Sequence, residues 1–238
     1  MSERLYFRQL LGGLDFAEGD QLAEQMMNFA YAVGDRDTGE AMLVDPAYRP
    51  SELVELVEAD GMKVIGVLAT HYHADHVGGK LAAQFEVSGI VELLDLLDVP
   101  VHVQASEVEW VCKGTGVSPD ALVAHDSGDV VAVGGVGVTT IHTPGHTPGS
   151  QCLLVDGRLI SGDTLFLDGC GRTDLPGSDP QEMYRTLTQR LSAVSDDTVL
   201  YPGHLYSPEP SAPMSDVRRT NRALVPASAE QWLAMFAR

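Results

Sequence analysis

The stretch THYHADHVGG, residues 70–79, places three histidines and one aspartate within six positions, although the chain of 238 residues has only 8 histidines. In extended backbone, residues two apart project to the same side, so His71 and His73 can reach one ion. Asp75 and His76 follow where the chain turns into a helix, so they can point elsewhere. Because imidazole and carboxylate groups suit Zn²⁺, or Fe²⁺ in a mixed N/O site, the stretch predicts a metal site.

Three further candidate ligands each follow a predicted strand and a sharp turn. They are His146 in TPGHTPGS, Asp163 in SGDTLF and His204 in YPGH. Each alone is a weak signal, because a lone histidine after a strand is more often a surface or hydrogen-bonded residue than a ligand. The repeated pattern is more informative, since loops at strand ends are where rigid scaffolds hold functional groups.

Strand and helix signals surround these motifs. The apolar run KVIGVLAT predicts a buried strand that ends at the histidine cluster, and the SELVELVEADG segment predicts a helix that stops at its glycine. The other predicted strands lie at 26–35, 40–46, 101–104 and 198–204, with a β-rich region from 129 to 163. The other predicted helices lie at 77–100, 105–113, 179–194 and 228–238. This order predicts an α+β fold in which sheets carry helices on their outer faces.

Composition argues against several classes of partner. The net charge is −19 and the pI about 4.5, so the surface repels phosphate backbones and nucleic acid is a poor partner. No run of about 18 apolar residues is present, which predicts no membrane span. The N-terminal segment has no apolar h-region, and cysteine is sparse (Cys112, Cys152 and Cys170). We therefore expect a cytoplasmic protein without a disulfide framework.

Together, THYHADH, TPGHTPG, SGDTLF and YPGH resemble the metallo-β-lactamase superfamily in order and spacing, from about Asn28 to His204. The resemblance implies a four-layer αββα sandwich, two sheets face to face with helices outside. It implies a single domain over residues 1–238, in which 218–238 form a C-terminal helical tail.

The resemblance also implies seven ligands to two Zn²⁺ ions, or to Fe or Mn. The first metal would be held by His71, His73 and His146, the second by Asp75, His76 and His204, and Asp163 would bridge them. Asp75 and Asp163 are the predicted catalytic residues, with Asp75 as a metal ligand rather than a free base.

The segment GDTLFLDGCGRTDL, residues 162–175, bears on the activity. It resembles the glyoxalase II-like branch, in which metal-bound hydroxide attacks a thioester or related small acyl substrate. It resembles still more the persulfide dioxygenases, in which GCGRTD is characteristic. Those enzymes oxidise glutathione persulfide with a single Fe²⁺, which His71, His146 and Asp163 would hold here. The first hypothesis is the hydrolase, and the alternatives are the dioxygenase and a lactonase.

The expected substrate is a small thioester or thiol, and glutathione-derived compounds are among the candidates. RTDLPGSD follows GCG, where glyoxalase II carries lysine and aromatic residues, and this departure argues against glutathione recognition of that enzyme's kind. Arg172, Tyr201 and Tyr206 are the candidate substrate contacts, and a salt bridge to Asp174 is the other reading of Arg172. The insertion-like segment 84–100 is expected to pack in the core, with a lid or a homodimer contact as alternatives.

Overall fold

Two six-stranded sheets form the centre of the computed structural model, which describes residues 3–82, 85–226 and 228–236. The strands of the first sheet, in spatial order, are β1 (Leu5–Leu11), β2 (Phe29–Asp35), β3 (Glu40–Val44), β4 (Lys63–Leu68), β7 (Val101–Gln104) and β8 (Leu122–His125). Strands β1 to β3 pair antiparallel, and β3, β4, β7 and β8 pair parallel. The predicted strands of this region are confirmed, whereas β1 and β8 were not predicted.

The second sheet accounts for the β-rich second half of the chain. Its strands, in spatial order, are β14 (Ala212–Pro213), β13 (Val199–Pro202), β12 (Arg158–Gly162), β11 (Gln151–Val155), β10 (Val136–His142) and β9 (Val130–Val133). Neighbouring strands are antiparallel except β12 and β13, which are parallel.

The sheets pack face to face, and strand β2 shows how its sequence allows this. Phe29 and Tyr31 lie in the core between the sheets, together with Ile160 of the second sheet. Ala30 and Ala32 alternate with them and lie in the core on the outer face. Because both faces of the strand are buried, its sequence is continuously apolar instead of alternating with polar residues.

Helices cover the outer face of each sheet. The α-helices are α1 (Gln21–Met26), α2 (Pro50–Ala59), α3 (Ala74–Val77), α4 (Ile90–Leu96), α5 (Val108–Thr115), α6 (Pro180–Arg185), α7 (Met214–Thr220) and α8 (Ala229–Phe236). Over the first sheet, α2, α4 and α5 contribute apolar side chains such as Leu53, Ile90 and Val111. Over the second, α6, α7 and α8 contribute Met183, Val217 and Trp232. The order of layers is therefore helix, sheet, sheet, helix, as predicted.

The predicted C-terminal helical tail, 218–238, is helical only in part: α7 ends at Thr220, residues 221–226 are not helical, and α8 follows with Trp232 fully buried. Residues 237 and 238 of the predicted tail helix lie outside the described residues. The assignment of 1–238 to a single domain stays a prediction. Among the described helices, none has the length and apolar character needed to span a bilayer.

The predicted helix over 77–100 is only partly correct. Helix α3 ends at Val77, and a hairpin of β5 (Gly79–Ala82) and β6 (Phe85–Val87) precedes α4. The two ends of the hairpin lie close together, since a Cβ added at Gly78 would lie 2.7 Å from the backbone of Gly89. Within the 84–100 segment, Ile90 and Leu93 are fully buried in the core, while residue 84 lies outside the described part.

Asp35 is a buried carboxylate that links three segments of the fold. It accepts hydrogen bonds from the Arg4 guanidinium (2.8 and 2.5 Å), from the Asp37 amide (3.0 Å) and from the Gly135 amide (2.6 Å). The Arg4 hydrogen bond, aided by the two amides, holds the pKa of Asp35 well below its usual range. The charged Asp35 carboxylate therefore stabilises the fold above its unfolded-state pKa of about 4. This stabilisation is lost as the pH falls from that value through the lower folded-state pKa.

We expect Asp35→Asn to lower the free energy of unfolding at pH 7 and to have a weaker effect near pH 3, where the carboxylate is largely protonated in the unfolded state but still charged in the native state. Urea unfolding at both pH values measures this, with the exposed Asp197→Asn as the matched control. An equal loss of stability at both pH values would show that charge at Asp35 is not the cause.

Candidate metal centre

All seven predicted ligands come together, and both sheets supply them. His71, the first residue of the cluster, follows the end of β4 in the first sheet. His146 follows β10, Asp163 follows β12 and His204 follows β13, all in the second sheet. The predicted pattern of strand, turn and candidate ligand therefore places side chains from distant parts of the chain at one site.

The first group consists of His71, His73 and His146, whose nearest ring nitrogens all lie within 4.8 Å of one another. His146 Nε2 is 2.9 Å from His73 Nδ1. His71 Nε2 is buried and has no hydrogen-bond partner within the described residues. Since buried polar atoms in native proteins are normally satisfied, this nitrogen marks a place for a ligand.

The other ring nitrogens of two of these histidines are fixed by neighbours. His71 Nδ1 lies 2.9 Å from Thr70 Oγ1, and His146 Nδ1 donates to the Arg172 carbonyl oxygen at 2.8 Å. Such contacts set the ring orientation and leave Nε2 of each ring to bind a metal.

The second group consists of Asp75, His76 and His204. The Nε2 atoms of His76 and His204 are 3.3 Å apart, and each is 3.5 Å from Asp75 Oδ2. His76 Nδ1 lies 3.0 Å from Asp45 Oδ2, and His204 Nδ1 donates to the Met26 carbonyl oxygen at 2.8 Å. Both Nε2 atoms therefore face the same point.

Asp163 contacts both groups. Its Oδ2 atom is 3.6 Å from His146 Nε2, and its Oδ1 atom is 3.3 Å from Nε2 of both His76 and His204. A Cβ at Gly203 would lie 2.5 Å from that Oδ1 atom, so the YPGH motif requires glycine before its histidine. Asp163 thus occupies the position expected of a carboxylate shared by two metal ions.

The two groups differ in their electrostatics. Burial lowers the pKa of His71 well below its ordinary value and that of His73 to about 3, so these rings are neutral, as ligands must be. At His76, burial lowers the pKa, but the carboxylates of Asp75 and Asp163 outweigh it and the pKa is raised. The second group therefore favours a positive charge, which a proton or a metal ion can supply.

These residues fit a metal. Five imidazoles and two carboxylates form a mixed nitrogen and oxygen donor set, which suits Zn²⁺ and Fe²⁺. The unpartnered nitrogen of His71 and the buried Oδ1 of Asp163, which has no hydrogen bond of normal geometry within the described residues, are atoms that a metal would satisfy. That all seven bind metal stays a prediction.

A cavity of about 1150 Å³ lies against the two groups. Arg172 lines it and forms the expected salt bridge, with two contacts of 2.9 Å to Asp174. Tyr206 lines it too, and its ring stacks on His204 with the centroids 4.6 Å apart. Tyr201 is not among the lining residues: it packs on the core between the sheets, with its ring centroid 4.8 Å from that of Phe7.

Sequence reasoning missed the buried polar residues behind the ligands. Asp45 accepts hydrogen bonds from the Thr70 amide (2.7 Å) and hydroxyl (2.6 Å) and contacts His76. Asn28 Nδ2 donates to Asp75 Oδ2 at 3.1 Å. Asp45 directly follows strand β3, so the pattern of a strand followed by a candidate ligand could have identified it. No sequence pattern pointed to Asn28.

The fold and the site together define a metal-dependent enzyme built on an αββα sandwich. A profile of the Metallo-beta-lactamase superfamily matches residues 24–204, and the chain belongs to this superfamily.

Two relatives and one solved structure illustrate the similarity. An uncharacterized protein of Aquifex aeolicus is 37% identical over 176 residues, which are 72% of this chain and 82% of that protein. A hydroxyacylglutathione hydrolase of Xanthomonas campestris pv. campestris is 33% identical over 197 residues, 83% of this chain and 68% of the enzyme. The crystal structure of ETHE1 from Myxococcus xanthus matches with a TM-score of 0.76 at 26% identity, covering 97% of this chain and 89% of that one. These similarities confirm the predicted family and fold, and they support the predicted branch.

Proposed function

We propose that this protein is a metal-dependent hydrolase of the glyoxalase II-like type, acting on a thioester or a related small acyl substrate. The observation that carries the proposal is the pairing of two complete ligand groups through one carboxylate, Asp163. A single-iron centre would need only His71, His146 and Asp163. The similarity to a hydroxyacylglutathione hydrolase supports the same reaction class.

The first group would hold one ion and the second group another, either two Zn²⁺ or Fe or Mn, with Asp163 shared. When bound, such ions polarise a carbonyl oxygen and lower the pKa of water towards about 7. Asp75 would act as a ligand, since its Oδ2 atom faces His76 and His204 and accepts from Asn28. Asp163 and Asp75 would together supply negative charge that offsets the repulsion between two cations.

The cavity wall points to an anionic substrate. Lys80, Arg172 and Arg222 all line the cavity, although the chain as a whole carries a net charge of −19. Arg172 pairs with Asp174, and Arg222 pairs with Asp168, which also lines the cavity, whereas Lys80 forms no ion pair with any described residue. We propose that the thiol part of the substrate carries carboxylates, as a glutathione thioester does, and that Arg172 and Tyr206 contact the bound substrate.

A persulfide dioxygenase is the second candidate, and the GCGRTD motif favours it. A Cβ at Gly171 would lie 2.0 Å from the Asp163 carbonyl oxygen and 2.8 Å from His146 Nδ1. The motif therefore packs directly on two of the three residues that would hold a single iron, His71 being the third. Such a two-histidine, one-carboxylate set leaves positions open for oxygen chemistry.

The experiment that separates the candidates compares two metal forms. Zinc-loaded protein is assayed for cleavage of S-lactoylglutathione, and iron-reconstituted protein for oxygen uptake with glutathione persulfide. Thioester cleavage without oxygen uptake is the expected result. Oxygen uptake that disappears in His146→Ala would establish the dioxygenase and refute the hydrolase. If neither substrate reacts, an acyl lactone series tests the third activity, lactone hydrolysis.

A further inference from the structure

Glu107, at the start of α5, is a buried carboxylate that none of the sequence motifs contains, and its side chain is 1% exposed. Its Oε1 atom accepts hydrogen bonds from the Tyr72 amide at 2.8 Å and the Thr147 hydroxyl at 2.7 Å. Its Oε2 atom accepts from the Gly149 amide at 2.6 Å. One side chain therefore connects two loops that lie far apart in the sequence.

These loops carry the first metal group. Tyr72 lies between His71 and His73, and Thr147 directly follows His146. The fit around the carboxylate is tight, because a Cβ at Gly149 would lie 2.5 Å from Glu107 Oε2. The Glu107 contacts therefore join the loop of His71 and His73 to the loop of His146.

Within residues 3–82, 85–226 and 228–236, Glu107 forms no ion pair with a lysine, arginine or histidine, so no described positive side chain balances its charge. Burial raises its pKa to about 7, in spite of the lowering effect of the Thr147, Tyr72 and Gly149 hydrogen bonds. The raised pKa means that the charged form of Glu107 is costly in this interior, and a cation bound nearby would favour that form.

We propose that Glu107 is a positioning residue for the first metal: it clamps the loops of His71–His73 and His146 at a separation that suits one ion, and that ion balances its charge. The inference rests on the metal centre proposed above and does not depend on the substrate. It adds an outer carboxylate that acts on the backbone of the ligand loops instead of on a ligand ring.

The test compares Glu107→Gln with Glu109→Gln, an exposed glutamate on the same helix. Glutamine keeps the shape of Glu107 but removes the charge and turns an NH₂ group towards one of the three donors. Both variants are made in a His204→Ala background, in which only the first group is complete, and zinc affinity is measured by competition with a chelator. Loss of an outer-shell partner reduces metal affinity 10- to 100-fold, so we expect a loss of about that size for Glu107→Gln and none for Glu109→Gln.

A second readout distinguishes positioning from simple packing. Positioning predicts that the rise in melting temperature on adding zinc becomes smaller in Glu107→Gln than in Glu109→Gln, whatever the melting temperature of the metal-free protein. A variant that lost only packing would melt earlier without metal and keep its zinc response.

Two outcomes would overturn the inference. One is equal zinc affinity in the Glu107→Gln and Glu109→Gln proteins. The other outcome concerns Thr147→Val, which is made if Glu107→Gln does not fold. This variant removes one of the three hydrogen bonds to Glu107 and keeps the charge. Unchanged zinc affinity in Thr147→Val would refute the proposal that Glu107 holds the two ligand loops together. Absence of zinc binding in the unmodified protein would instead refute the metal centre itself, so the two failures can be told apart.

Discussion

Replacement of Asp163 by alanine is expected to release metal from both groups and to lower kcat/KM by more than about 100-fold. Outer-shell substitutions alone cost 10- to 100-fold in metal affinity or activity, and Asp163 is in direct contact with His76, His146 and His204. Elemental analysis of the purified variant measures the metal, and cleavage of S-lactoylglutathione measures the activity.

The control for this variant is Asp156→Asn, which changes an exposed aspartate in the turn between β11 and β12. It is expected to keep both metal and activity. If Asp163→Ala kept the metal content and the activity of the control, the role proposed for Asp163 as the carboxylate shared by two metals would be refuted.

The second large effect is expected for His204→Ala. This residue belongs to the second group and not to the three that would hold a single iron. We expect the metal content to fall from two ions to one and thioester cleavage to fall by more than about 100-fold, because two-metal hydrolysis needs both ions. His146→Ala, the matched change in the first group, is expected to be equally damaging.

A single-iron dioxygenase predicts a different pattern for the same pair of variants. Oxygen uptake would disappear in His146→Ala and persist in His204→Ala, since only His146 would bind the iron. Retention of thioester cleavage in His204→Ala, with one metal ion bound, would show that the second group is not needed and would contradict the two-metal proposal.

The ligands were predictable because their signals are local. His71, His73, Asp75 and His76 are close in sequence, and the other candidates each follow an apolar strand. Strand β1 was harder to predict. Leu10 and Leu11 are adjacent apolar residues that break the alternation of apolar and polar residues, and the strand pairs with β2, which lies further along the chain. The hairpin within 77–100 was hidden by the strong helical pattern that follows it in α4.

The supporting residues could not be predicted, because their contacts are long-range. Asn28 reaches Asp75 across 47 positions, and Glu107 reaches Thr147 across 40. Tyr201 shows the converse: it is three residues from His204 in the sequence, yet it lies in strand β13 and its ring packs with Phe7 towards the core between the sheets. Within a strand, a residue close in sequence to a metal ligand can therefore point away from the cavity, because successive side chains lie on opposite faces.

Each of the two ligand groups takes side chains from both sheets, with consequences for the lifetime of the fold. An ion bound to His73 and His146 is a cross-link between the two halves of the sandwich, and it exists only in the native state. Free metal at one hundred times its dissociation constant would add about 2.7 kcal/mol to the free energy of unfolding. The unfolded population, and with it exposure to proteases, would fall by about two orders of magnitude, so metal supply would set how long the protein survives as well as whether it is active.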